Sequence, residues 1–128
     1  NISVVDPGEL VRLAGLKNAH GLGISQVVPY PFMPTLPVIR EYQTLLARHA
    51  PGQQVNYTSF EQFLGAKVLV EALRRAGPGP TRAKVIKALE SMGKYDLGGV
   101  SVGYSPANRV GSRFVEVTVI GSGGKLMR

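Results

Sequence analysis

Only one strand-length, β-branched run precedes three consecutive helix-length segments, and that order limits what the 128-residue chain can build. The run is residues 21–28, Gly-Leu-Gly-Ile-Ser-Gln-Val-Val, and it stops at Pro29-Tyr30-Pro31, where two missing N–H groups cannot continue a ladder. A doubly wound parallel sheet needs neighbouring strands with helices on both faces. One strand and three helices do not supply that, so further strands must come from other sequence or from another copy. The first five residues, Asn-Ile-Ser-Val-Val, read as the middle of a strand, and the chain is expected to be a piece of something longer.

Before the run, Asp6-Pro7-Gly8 is a turn in which Asp6 caps and Pro7 opens a short helix to Ala14, closed by Gly15. After it, Thr35 is the expected cap of a helix reaching Ala50, with Val38, Ile39, Tyr42, Leu45 and Leu46 on one face. Thr58-Ser59-Phe60-Glu61 has the capping-box form, a hydroxyl followed three residues on by a carboxylate. The long helix it opens carries Phe60, Phe63, Leu64, Val68, Leu69 and Leu73 as a broad apolar stripe, ends at Gly77-Pro78, and should be the most buried helix. Thr81 caps a third helix, with Val85, Ile86, Leu89 and Met92 inward and Gly93 at its end. Residues 100–102 and 113–120 then read as strands joined through the turn Ser105-Pro106-Ala107-Asn108, and the glycine-rich 121–124 leads to a last short strand at 125–127. The fold class is α/β.

Much chemistry is excluded. Without cysteine there is no disulfide framework and no thiolate metal or redox site. His20 and His49 lie in polar surroundings without HExxH spacing and read as surface or capping groups. Glu41, Glu61, Glu71 and Glu90 sit in helices, and no catalytic carboxylate pair is visible. The glycine-rich stretches 21–23 and 121–124 lack the Lys-Ser/Thr ending of a P-loop. No enzyme activity, cofactor or metal is expected. A net charge of +7 brings nucleic acid into question, but the basic residues are scattered from Arg12 to Arg128. They are densest at Arg74, Arg75, Arg82, Lys84 and Lys87, with no aromatic RNA motif, zinc spacing or basic arm beside them. The reading is a solvated basic surface and no nucleic-acid partner. No apolar run approaches the roughly 18–20 residues of a membrane span. No secretory signal lies at the start, so an exported parent would carry its signal upstream.

Residues 23–31, Gly-Ile-Ser-Gln-Val-Val-Pro-Tyr-Pro, with 36–42, Leu-Pro-Val-Ile-Arg-Glu-Tyr, resemble the late crossover and following helix of the type I periplasmic solute-binding proteins. Residues 60–73, Phe-Glu-Gln-Phe-Leu-Gly-Ala-Lys-Val-Leu-Val-Glu-Ala-Leu, are similar to that family's long aromatic-led helix. The match continues through Ala88-Leu89-Glu90-Ser91-Met92, Tyr95-Asp96-Leu97-Gly98-Gly99-Val100, Tyr104-Ser105-Pro106 and the tail 114–120. This ordered set covers nearly the whole chain, and the group it resembles best is the branched-chain amino-acid binding proteins.

The resemblance implies a partial type I periplasmic-binding-protein fold, a three-layer α/β/α architecture, of which the chain is the C-terminal portion spanning hinge crossings of a two-lobed receptor. Residues 1–28 would end the second lobe, 29–97 form the helical part of the first, and 98–128 supply the hinge return and closing strands. It implies a periplasmic substrate-capture subunit of an ABC importer, taking an amino acid, branched-chain or similar, or a small organic acid, and presenting it to a permease. The alternative on the same fold is a ligand-sensing regulatory domain. Among site residues, Ser3 falls in the cleft-lining loop where a polar side chain can meet a ligand ammonium group, and Tyr30 and Tyr57 would give an aromatic wall or a hydroxyl. Pro29 and Pro31 should make 28–31 a semi-rigid crossing. Alone, the chain is expected to pair as a homodimer or larger assembly through strand edges and the apolar faces of Phe60, Phe63, Leu64 and Leu73.

Overall fold

The computed structural model describes residues 6–128. Helices α1 (Pro7–Ala14) and α2 (Leu16–Ala19) lead into strand β1 (Gly23–Gln26), then come α3 (Pro37–His49), α4 (Tyr57–Ala76) and α5 (Arg82–Glu90), and last β2 (Gly93–Asp96), β3 (Ser101–Tyr104), β4 (Glu116–Ile120) and β5 (Leu126–Met127). β4 lies between β1 and β5, antiparallel to both, with Ile24 opposite Thr118 and Gln26 opposite Glu116. β2 and β3 form a separate antiparallel hairpin. Among the described residues no strands pair in parallel.

β1 is shorter than the 21–28 run because Val27 and Val28 leave the ladder ahead of Pro29, and β4 begins at Glu116 instead of 113. β2 was absent from the expected strands. Gly93, expected to close α5, instead opens β2 at a φ of 61°, while the helix ends at Glu90 with Ser91 as its C-cap.

Helix starts follow their capping groups. Asp6 accepts from the Glu9 N–H at 3.1 Å, and Thr81 accepts from the Lys84 N–H at 3.3 Å, both as expected. α3 does not use Thr35. Pro37 occupies its first position and has no N–H to satisfy, Leu36 is the cap residue, and the Val38 N–H goes to the Gly98 carbonyl at 3.1 Å. The capping box at Thr58 is also overturned. Asn56 holds the cap position in extended geometry and its Oδ1 accepts the Ser59 N–H at 2.8 Å, which starts α4 one residue earlier than Thr58.

Two cores result. The larger gathers Phe60, Leu64 and Val68 of α4, Val38 and Tyr42 of α3, and Val102 of β3. The smaller holds Ala19, Ile24 and Ile120, and Leu126 packs against both. The chain passes from one to the other along β1 and the residues after it: Ile24 belongs to the small core, Val28, beyond the end of β1, to the large one, and Gln26 lies between them in sequence. There its Nε2 donates to Thr118 Oγ1 at 3.2 Å, with both residues buried. Expectations for the helix faces need correcting at four positions: Leu45, Leu69, Leu73 and Ile86 are exposed. Of the residues expected to drive pairing, Phe60 and Leu64 are therefore covered within the chain, while Leu73 is not. No described helix is long and apolar enough to cross a membrane.

Candidate functional site

The connector that leaves β1 carries Tyr30 and Phe32 on either side of a buried proline, Pro31. Its course is fixed from α3, where the Gln43 Nε2 donates to the Pro31 carbonyl at 2.7 Å. Tyr57 arrives from another direction, as the first residue of α4, because Asn56 sets the start of that helix. The three rings meet. Centroids are 5.0 Å apart for Tyr30 and Phe32, 5.9 Å for Phe32 and Tyr57, and 6.3 Å for Tyr30 and Tyr57, the last two edge to face.

These rings form one wall of a cavity of about 700 Å³. The N-terminus of α1 adds Asp6, Pro7 and Glu9 to the lining, and Lys125 before β5 contributes a cation. The volume is of the order of known small-molecule sites, about 300–1,000 Å³. A smaller cavity of about 370 Å³, bordered by Ser101, Ser112, Phe114, Glu116 and Arg128, lies on another side of Tyr30, which lines both.

A polar frame supports the aromatic wall. Tyr57 Oη donates to Glu116 Oε1 at 3.3 Å, Arg128 Nη2 donates to Glu116 Oε2 at 3.2 Å, and the Arg128 guanidinium stands 5.2 Å over the Tyr30 ring. Burial, and after it the charge and hydrogen bond of Glu116, push the Tyr57 hydroxyl above the ordinary phenol range, so it remains a neutral donor. At the α1 side, Arg12 pairs with Glu9 at 2.6 Å, and that hydrogen bond holds the Glu9 carboxyl below its ordinary range.

The chemistry on offer is recognition. Aromatic faces and ionised carboxylates attract an ammonium group. Lys125 and the helix N-terminus favour an anion. Among the described residues, the lining of the larger cavity contains no serine, cysteine or histidine. Of the expected site residues, Tyr30 and Tyr57 are brought together on this cavity, and Ser3 lies outside the described residues. Sequence reasoning missed Phe32, Glu9, Glu116 and Arg128, and it assigned Asp6 only a capping role. A signal existed for Glu116, an ionisable residue inside a run of valines.

The chain as a whole is similar to known proteins. The periplasmic binding protein family matches residues 4–125. A substrate-binding periplasmic protein from Ralstonia solanacearum is 39% identical, with a TM-score of 0.86 over 98% of this chain and 36% of its own. An extracellular ligand-binding receptor from Verminephrobacter eiseniae is 33% identical, with a TM-score of 0.83 over 99% of this chain and 36% of its own. A possible leucine/isoleucine/valine-binding protein from Rhodopirellula baltica is 26% identical, with a TM-score of 0.87 over 99% of this chain and 34% of its own. The chain thus spans about a third of the length of the solved proteins it matches. No curated protein matches it.

Proposed function

The chain belongs to the periplasmic binding protein family, and we propose that it is the C-terminal third of a receptor that captures an amino acid, branched-chain or similar, for an ABC importer. In this reading residues 1–28 end the second lobe, 29–97 form the helical part of the first, and 98–128 return through the hinge. The presence of two cores, one around Ile24 and Ile120 and one around α3 and α4, supports that division. The receptor works in the periplasm, presents its ligand to a permease, and binds and releases it without turnover.

One observation carries the reading: Tyr30 and Tyr57, remote in sequence, come together on a cavity whose lining also carries Asp6 and Glu9. An amino acid's ammonium group suits the carboxylates and ring faces, and an aliphatic side chain suits Phe32 and Leu126 on the same lining. The name of the Rhodopirellula baltica relative, a possible leucine/isoleucine/valine-binding protein, supports the ligand class.

The test is calorimetric titration of the full-length receptor with each of the standard amino acids. Saturable binding of leucine, isoleucine or valine is the expected result. A folded receptor that binds no amino acid would refute the ligand assignment.

A further inference from the structure

The smaller cavity, about 370 Å³, shares only Tyr30 with the larger one and has a chemistry of its own. Four separate segments meet there: the connector after β1 at Tyr30 and Thr35, the start of β3 at Ser101, the approach to β4 at Phe114 and Glu116, and Arg128 after β5. Two of these segments are held by bonds made outside the cavity. Arg40 Nη1 donates to the Pro34 carbonyl at 2.9 Å, just before Thr35. Asp96 Oδ1 accepts the Gly98 and Gly99 N–H groups at 3.2 and 2.8 Å, which fixes the turn into Ser101. Polar groups on such a frame need little further ordering to meet a ligand.

Those groups are mainly donors. Among the described residues the hydroxyls of Thr35 and Ser101 have no hydrogen-bond partner. A guanidinium carries five N–H donors, and Arg128 directs Nη2 alone at Glu116 Oε2, at 3.2 Å. Its side chain is 54% exposed, so the other donors can be reached, while stacking 5.2 Å over the Tyr30 ring orients its plane. The one carboxylate among the described lining residues is already engaged, since Glu116 accepts from Tyr57 at 3.3 Å and from Arg128. An ammonium group therefore finds no uncommitted partner here, which disfavours an amino acid. A carboxylate with a neighbouring hydroxyl meets a guanidinium edge and two hydroxyls, and Val100 and Phe114 offer apolar contact to a short hydrocarbon chain. We propose that this cavity is a second ligand site, taking a small 2-hydroxy acid without an ammonium group, its carboxylate on Arg128 and its hydroxyl on Ser101 or Thr35. The volume lies within the range of small-molecule sites, about 300–1,000 Å³.

The probe is 2-hydroxyisovalerate, titrated calorimetrically into the full-length receptor and three variants whose fold is checked by circular dichroism. Arg128→Gln removes the charge, Ser101→Val removes a hydroxyl without touching the larger cavity, and Lys125→Ala alters the larger cavity alone. Saturable binding by the native receptor is expected, weakened at least about ten-fold in Arg128→Gln and about five-fold in Ser101→Val, and unchanged in Lys125→Ala. Should Arg128→Gln fail to fold, because it also releases Glu116, Ser101→Val carries the test from its exposed position. No saturable binding by the native receptor, or full affinity in every folded variant of the small cavity, would overturn the proposal. Weakening in Lys125→Ala with Ser101→Val unchanged would also overturn it, by placing the acid in the larger cavity. A receptor that binds the acid with the expected variant pattern and binds no amino acid would leave this site standing and remove only the amino-acid assignment of the larger cavity.

Discussion

Tyr57 donates a hydrogen bond to Glu116 across 3.3 Å, tying the first turn of α4 to a strand 59 residues further along the chain. The bond serves the cavity wall as well as the fold, since Arg128 holds the other carboxylate oxygen and stacks on Tyr30. Tyr57→Phe keeps the ring and removes the donor. It should lower stability by about 1 kcal/mol, because Glu116 retains Arg128 and is not left unpaired. Urea denaturation of the two proteins measures the difference, and a loss above about 3 kcal/mol would mean the hydroxyl does more than this bond.

The same tyrosine predicts an alkaline effect. Its folded form holds the proton above the ordinary phenol value near 10. As pH rises past that value the unfolded chain loses the proton while the folded chain keeps it, so this group's contribution falls with rising pH, by at most about 1.4 kcal/mol per unit. Below roughly pH 9 both states are protonated and the group is silent. Urea midpoints of the native protein should therefore fall more steeply than those of Tyr57→Phe between about pH 9 and 11. Parallel curves would contradict the assignment.

Asn56 and Thr58 make opposing claims on the start of α4. With Asn56 Oδ1 accepting the Ser59 N–H at 2.8 Å, Asn56→Ala should cost about 1 kcal/mol. Thr58→Ala, at an exposed position inside the first turn, should change stability by less than about 0.5 kcal/mol. Thermal unfolding of both variants decides. The reverse order would restore the capping box.

Gly98 is held at a φ of 110°, and a Cβ there would lie 3.1 Å from the Val38 nitrogen, against the first turn of α3. Gly98→Ala should destabilise by more than about 1 kcal/mol through backbone strain and lost contact with that turn. Circular dichroism melts measure it. An unchanged melting temperature would show that the loop can move away freely.

The α/β class, the order of helices and the caps at Asp6 and Thr81 could be read from the residues because their signals are local. Faces were harder. In β4 the valines suggest an apolar side and Glu116 and Thr118 a wet one, yet Thr118 and Ile120 are buried while Val115 and Val117 are exposed. Gln26, diagonal to Thr118 on the neighbouring strand β1, explains the inversion by giving Thr118 a buried partner, a relationship 92 residues apart that no local pattern reveals. β2 escaped notice because Gly93-Lys94-Tyr95-Asp96 has no apolar alternation and is held as a strand by its pairing with β3. Resemblance named Tyr30 and Tyr57, and the fold sets both on one cavity. Glu116 and Arg128 became part of the site only when folding brought them to the rings.

The proposed receptor role requires the aromatic wall to bind an amino acid. Calorimetric titration of the full-length receptor and its Tyr30→Ala variant with leucine and valine tests it most directly, because Tyr30 borders both cavities and contacts both other rings. Saturable binding by the native receptor is expected, with a loss of at least about ten-fold in the variant, about 1.4 kcal/mol, at an unchanged protein fold by circular dichroism. Equal affinity in the two proteins would contradict it.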